Sequence, residues 1–208
     1  MMMKFVALAL ALASASAFAP APQRVPSSTA LHMGAESMEG ASAPFGYWDP
    51  MGISEYGSDA TLAWFRHAEL KHGRVAMAAT VGWIIQETGI TFPGTYNLAG
   101  DTFSSLSKSG TDAWSTLSLS GKLQILFTAG MFEFYTETIK PHYMSGGRAG
   151  FCGKIWDPIG FTRGVPEATL AVKRQAELNN GRLAMIGAMS FFAASSIDGS
   201  VPALPTTW

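Results

Sequence analysis

Sliding the chain against itself by 108 positions lays Trp48-Asp49-Pro50 onto Trp156-Asp157-Pro158, and Glu69, Gly73, Arg74, Ala76 and Met77 onto Glu177, Gly181, Arg182, Ala184 and Met185. Between Trp48 and Met77, 16 of 30 positions match their counterparts in this one ungapped register. A match that dense is an internal duplication, so any fold must use the same unit twice. Each copy reads Trp-Asp-Pro-x-Gly, then Ala-Thr-Leu-Ala, then Glu-Leu-x-(His/Asn)-Gly-Arg-x-Ala-Met. The Asp-Pro step punctuates a turn, and Asp59 or Glu167 stands where the acidic first turn of a helix belongs.

Ala, Leu, Met and Arg dominate both continuations and no Pro interrupts them, which predicts helices over about Asp59 to Glu87 and Glu167 to Ile197. At 1.5 Å per residue each is roughly 40 Å long, enough to cross a bilayer at a tilt. Between them the apolar run Leu123 to Tyr135, with flanks from about Leu119 to Thr138, predicts a shorter spanning helix. The expected fold is an all-α membrane protein of three transmembrane helices, the first and third crossing about a pseudo-two-fold axis. The Ser-rich stretch Ser104 to Ser120 reads as a flexible connection. Basic residues gather before the first helix's apolar half and between the second and third helices: Arg66, Lys71, Lys140, Arg148, Lys154, Arg163, Lys173 and Arg174. The first-to-second loop sets Lys108 against Asp101 and Asp112, so the positive-inside preference puts the N-terminus on the side from which insertion occurs.

Glu69, His72 and Arg74 in one repeated helix, and Glu177, Asn180 and Arg182 in the other, are too polar for a plain apolar span and demand partners. Glu and Arg five positions apart point some 140° away from each other at about 100° per residue, so they pair poorly within one helix. If the two helices cross symmetrically, Glu69 meets Arg182 and Glu177 meets Arg74. The step from Glu69 to His72, or from Glu177 to Asn180, stays on one helix face with a rise near 4.5 Å. Gly73, Ala76, Gly181 and Ala184 are expected to clear room beside these groups for a flat macrocycle whose central magnesium takes an axial oxygen or nitrogen. Such a metal is already charge-balanced by its ring, so a carboxylate ligand adds a negative charge that the facing Arg cancels. Gln124 and Glu133, nine residues apart, lie about 180° apart around the middle helix and would bind on opposite sides.

A net charge of -1 argues against a nucleic-acid partner, and the lone Cys152 excludes an intramolecular disulfide and a Cys-x-x-Cys redox pair. No nucleophile-base pair or phosphate loop appears, so no enzyme is expected. Glu-x-x-His also occurs in di-metal carboxylate oxidoreductases, the rival class, but Asn180 is a poor iron ligand for the second copy. His67 and His142 read as solvated helix-end or loop residues, and Trp64, Trp83 and Phe191 as packing or interfacial aromatics. At the N-terminus, Lys4, the apolar run Phe5 to Ala13 and Ala15-Ser16-Ala17 fit a signal peptide over residues 1–17. Residues 18–33, with Arg24, Ser27, Ser28 and Thr29 and no acid, fit a plastid transit peptide, leaving 34–208 as the membrane domain.

The Trp-Asp-Pro loops with Glu-Leu-Lys-His-Gly-Arg-Val-Ala-Met and Glu-Leu-Asn-Asn-Gly-Arg-Leu-Ala-Met resemble the light-harvesting chlorophyll-binding superfamily, over roughly Phe45 to Pro202. The presequence, the Gln124 to Glu133 spacing and Gly199-Ser200-Val201-Pro202 look most like the fucoxanthin chlorophyll a/c type, and the peridinin chlorophyll a/c type is also similar. The resemblance implies that Glu69, His72, Gln124, Glu133, Glu177 and Asn180 bind chlorophyll magnesium, directly or through water. It implies carotenoids in the grooves of the crossed helices, with Trp48, Asp49, Pro50, Trp156, Asp157 and Pro158 near their end groups. Chlorophyll a, chlorophyll c and fucoxanthin or a related xanthophyll are the implied cofactors. The implied setting is the plastid thylakoid membrane, multi-pass with a stromal N-terminus, among thylakoid lipids, neighbouring antenna subunits and a photosystem core. Light harvesting is the implied function, with photoprotective quenching as the alternative within the same family. Where green-plant relatives carry a Gln ligand fourteen residues after the third-helix Asn, this chain has Ala194, which supplies no ligand atom from its side chain.

Overall fold

The computed structural model describes residues 35–42, 44–153, 157–197 and 199–202, all within one unit spanning Met33–Trp208. The segments read as signal and transit peptides, and Trp156 of the second loop, lie outside the described residues. Among the described residues four α-helices account for the regular structure: α1 Asp59–Glu87, α2 Gly110–Thr116, α3 Leu119–Glu137 and α4 Glu167–Ser196. Short 3-10 turns at Ala35–Ser37, Ile53–Glu55, Phe103–Ser105 and Tyr143–Ser145 punctuate the connections, and the described residues form no extended sheet. Local chemistry sets the helix starts. The backbone N–H of Ser58 donates to Thr61 Oγ1 at 3.4 Å, Ser118 Oγ accepts from the Gly121 N–H at 3.3 Å, and Pro166 precedes the first turn of α4.

The two repeated helices cross at a pair of glycines. A Cβ placed on Gly73 would lie 3.1 Å from the Gly181 Cα, and one on Gly181 would lie 3.0 Å from the Gly73 Cα. These glycines are buried against each other and clear no room for a macrocycle, which corrects the expectation for Gly73 and Gly181. Their missing side chains bring two backbones together, the use small residues have at close helix crossings. Ala76 and Leu178 are buried beside them, Thr80 Oγ1 donates to the Ala184 carbonyl at 3.4 Å, and further along Trp83 stacks on Phe191 with ring centroids 6.2 Å apart. Trp83 and Phe191 are themselves counterparts in the 108-residue register, so the duplication meets itself at both places.

The Ser-rich connection is not a flexible strand of chain. It folds into the turn at Phe103–Ser105 and into α2, whose first residue, Gly110, sits against the Trp83 ring, while Gln86 Nε2 donates to the Ser107 carbonyl at 2.9 Å. A side chain from α1 caps a loop carbonyl that would otherwise need water, which holds the connection to the helix end. The middle helix α3 differs from the crossed pair: none of its 19 residues is buried, and Phe127 and Phe134 are 71% and 74% exposed. Among the described residues no helix is long and apolar enough to cross a membrane by hydropathy alone.

Candidate functional site

The charged residues of the crossing form two clamps related by exchange of the repeat copies. Arg74 Nε donates to Glu177 Oε1 at 2.6 Å, and Arg182 Nε donates to Glu69 Oε1 at 2.8 Å. Each guanidinium also reaches a glycine carbonyl at 2.7 Å, Arg74 Nη1 that of Gly150 and Arg182 Nη1 that of Gly40. Each of those glycines returns its N–H to the same helix that supplies its arginine: Gly150 to His67 Nδ1 at 3.1 Å, Gly40 to Gln175 Oε1 at 2.7 Å. His67 and Gln175 are repeat counterparts. Glutamate, arginine, glycine and position 67 or 175 thus close the same circuit twice, with the arginine bonds charge-assisted.

Sequence reasoning found the glutamates and arginines of this circuit and missed Gly40, Gly150, His67 and Gln175. Gly40 and Gly150 adopt positive φ, 119° and 75°, and are buried. A Cβ on Gly40 would lie 2.9 Å from Arg182 Nη2, and one on Gly150 would collide with Leu70 Cδ1. The available signal was a glycine before each Trp-Asp-Pro, eight residues ahead of Trp48 and six ahead of Trp156. The two-residue offset drops it from an ungapped comparison. His67 is 5% exposed and stacks on Tyr143 at a centroid distance of 4.0 Å, so the expectation of a solvated residue is overturned. Its ring holds the α4-proximal loop against α1. His142 is half-exposed at the foot of α3, with Nε2 3.1 Å from Glu137 Oε2.

The remaining candidates face outward. His72 is exposed, and its Nδ1 lies 2.8 Å from the Ala68 carbonyl. A carbonyl only accepts, so the proton sits on Nδ1 and the lone pair of Nε2 points away from the helix, the tautomer a metal ligand needs. Asn180 and Gln124 are likewise exposed. Glu133 pairs with Lys71, which also donates to Glu137 Oε1 at 2.9 Å, so an α1 lysine neutralises the acids of α3. Lys71 was not among the expected partners, because nothing in the repeat marks it.

Both Asp-Pro loops are built alike. Asp49 accepts the N–H groups of Ile53 and Ser54 at 3.0 and 2.8 Å, and Asp157 accepts those of Phe161 and Thr162 at 2.7 and 2.9 Å. Hydrogen bonds from the Ser54 hydroxyl and backbone bring the Asp49 carboxyl down to about 2, and those from Thr162 do the same for Asp157. Trp48 and Asp49 line an open cavity of about 680 Å³, with Phe45, Phe65, Glu69 and Arg182 also on its wall. Pro50 and Pro158 are exposed turn residues.

A duplicated loop-helix unit with glutamate and arginine exchanged across a glycine crossing is matched over residues 35–196 by the family described as chlorophyll A-B binding protein. The chain belongs to the chlorophyll A-B binding protein family. Within it, fucoxanthin-chlorophyll a-c binding protein F, chloroplastic, of Phaeodactylum tricornutum is 36% identical over 201 residues, covering 96% of this chain and 98% of the relative. A fucoxanthin-chlorophyll a-c binding protein, chloroplastic, of Trieres chinensis is 36% identical over 184 residues, covering 85% and 86%. Protein E of that type from Macrocystis pyrifera is 34% identical over 179 residues, covering 83% and 79%. The clamp residues Glu69, Arg74, Glu177 and Arg182 all fall inside the segment that the chlorophyll A-B binding family matches.

Proposed function

We propose that this chain is a light-harvesting antenna that binds chlorophyll a, chlorophyll c and fucoxanthin, in keeping with the names of its relatives. The observation that carries this reading is Glu177, a half-buried carboxylate whose Oε1 is neutralised by Arg74 of the facing helix. A carboxylate that adds no net charge yet keeps a lone pair suits a metal already neutral in its ring. Glu69, His72, Gln124, Glu133 and Asn180 complete the proposed magnesium ligands, and the donor set is chemically right for them: oxygens, plus one imidazole fixed in the metal-binding tautomer.

When bound, the pigments supply absorption and the passage of excitation to a photosystem. The chain's own residues supply spacing, orientation and local polarity. The glycine crossing and its clamps hold the Glu69 and Glu177 ligands in a rigid mutual geometry. The exposed apolar side chains of α3 offer surface to pigments and lipid, and the Trp-Asp-Pro loops offer aromatic walls to carotenoid ends. No catalytic turnover is proposed.

We infer further that α1, α3 and α4 span the thylakoid membrane, with the N-terminus stromal and residues 1–33 removed on the way into the plastid. Hydropathy misses these spans because it counts each charge as free. Here Glu69 is paired with Arg182, Glu177 with Arg74, and Lys71 with Glu133 and Glu137. Chromatography of pigments extracted from the isolated native protein tests the proposal. Chlorophylls a and c with a xanthophyll are expected, and a colourless native protein overturns it.

A further inference from the structure

The repeat also duplicates a second arginine, and the two copies use it differently. Arg66 and Arg174 are counterparts, each three residues before its glutamate. Arg66 Nη1 donates to Glu69 Oε2 at 2.6 Å while Arg182 Nε holds Oε1, so both oxygens of Glu69 are engaged. Arg174 turns the other way. Its Nε donates to both oxygens of Glu39 at 2.6 and 2.8 Å, and its Nη2 to Glu167 Oε1 at 2.6 Å. Among the described residues Glu177 therefore takes its hydrogen bond from Arg74.

The local charge differs accordingly. Glu177 is bonded by the guanidinium of Arg74, whereas Glu69 lies between the guanidinium groups of Arg66 and Arg182. A metal at Glu69 competes with Arg66 for the lone pairs of Oε2 and must also accept a neighbouring cation. Displacing Arg66 is unfavourable, since its side chain is only 17% exposed and would lose a charge-assisted hydrogen bond away from full solvation. At Glu177, among the described residues, no second guanidinium takes an oxygen.

Resting on the ligand assignment above, we propose that Arg66 sets the duplicated sites apart, making Glu69 the weaker magnesium ligand and Glu177 the stronger. Glu39 and Glu167 are the positioning residues that keep Arg174 from acting at Glu177 as Arg66 acts at Glu69. The difference arises from a segment outside the repeat: Glu39 precedes the first Trp-Asp-Pro and reaches Arg174 across 135 positions of sequence.

The test is reconstitution of the full chain with fucoxanthin and chlorophylls a and c over a range of chlorophyll concentrations, counting pigments per polypeptide by chromatography. Glu69→Ala and Glu177→Ala each identify the pigment that depends on that residue. In the unsubstituted chain the Glu177-dependent pigment is expected to half-fill at about tenfold lower chlorophyll than the Glu69-dependent one, the scale of one charge-assisted hydrogen bond. Arg66→Gln is expected to close that gap, and Arg66→Lys, which keeps a cation in reach, to preserve it. Glu39→Gln combined with Glu167→Gln releases Arg174 and is expected to weaken the Glu177 site toward the level of the Glu69 site, with Arg66 itself kept although Glu39 also attracts it. Equal filling in the unsubstituted chain, or an unchanged gap in both Arg66→Gln and the double variant, overturns the inference while leaving the antenna reading intact. If neither Glu→Ala variant loses a pigment, the ligand assignment itself falls, and this inference with it.

Discussion

In the first copy of the repeat Glu69 is held by Arg182 and Arg66, and in the second, among the described residues, Glu177 is held by Arg74. The helices, the crossing glycines and the arginine clamps are shared, so the asymmetry comes from what the rest of the chain brings to each copy. The N-terminal segment delivers Gly40 to one clamp and Glu39 to Arg174, while the segment before α4 delivers Gly150 to the other clamp. A duplicated frame thus preserves backbone geometry, and unduplicated loops tune the electrostatics of each site. The exposures follow the same division: the side chains of Arg74 and Glu177 are 19% and 30% exposed, those of Arg182 and Glu69 40% and 27%.

The comparison breaks most decisively at the element both copies share. Gly73→Leu drives a side chain into the Gly181 backbone, and the pigmented protein is expected not to assemble, read as loss of the coloured monomer on a density gradient. Next in size, Glu69→Ala orphans two guanidinium groups, Arg182 and the 17% exposed Arg66, and is expected to cost about 4 kcal/mol in thermal stability, followed by circular dichroism of the pigments. Glu177→Ala removes a proposed ligand and orphans Arg74. One chlorophyll fewer is expected, with a smaller loss of about 3 kcal/mol by the same measurement. Equal losses in the two variants would mean the electrostatic difference between copies has no energetic weight.

The two clamp glycines sharpen the comparison at a smaller scale. Gly150→Ala imposes positive φ on an alanine and a collision with Leu70, and Gly40→Ala imposes positive φ beside a movable guanidinium. Losses of about 2 and about 1 kcal/mol, in that order, are expected from thermal melting. Smallest is the acid response of the Asp-Pro loops, which are alike in both copies. Each carboxyl lies below its ordinary 3.8, at about 2, so the loop-ordering contribution is complete above pH 4 or so and is lost as pH falls through about 2. Trp48 fluorescence is expected to change only in that acid window, and Asp49→Asn to remove the change.

Much of the fold was legible because its causes are local or symmetric. The starts of α1 and α4 follow from turn residues and acidic first turns, and α1 ends at Glu87 as expected, while α4 ends at Ser196, one residue early. The exchange of Glu and Arg between helices followed from asking where a charge on each face finds its opposite. The functions given to Gly73 and Gly181 were misread, because a small residue beside a ligand and a small residue at a crossing look the same in sequence. His67 was misread because nothing in the helix pattern announces a loop that returns its Gly150 N–H to that ring. The structure in Ser104 to Ser120 was missed because Ser-rich composition hides the capping by Gln86 and the seat against Trp83.

By itself the amino-acid sequence determined that a unit is used twice, that its helices meet through opposite charges, and that oxygen and imidazole groups project in steps of three. Those properties depend on helical periodicity and on neutralising charge, which are fixed by residue type and spacing. Only the tertiary structure decided which oxygen of each glutamate is taken. Arg66 and Arg174 are the same residue at the same repeat position, and their hydrogen bonds diverge because Glu39, far away in sequence, reaches one of them in space.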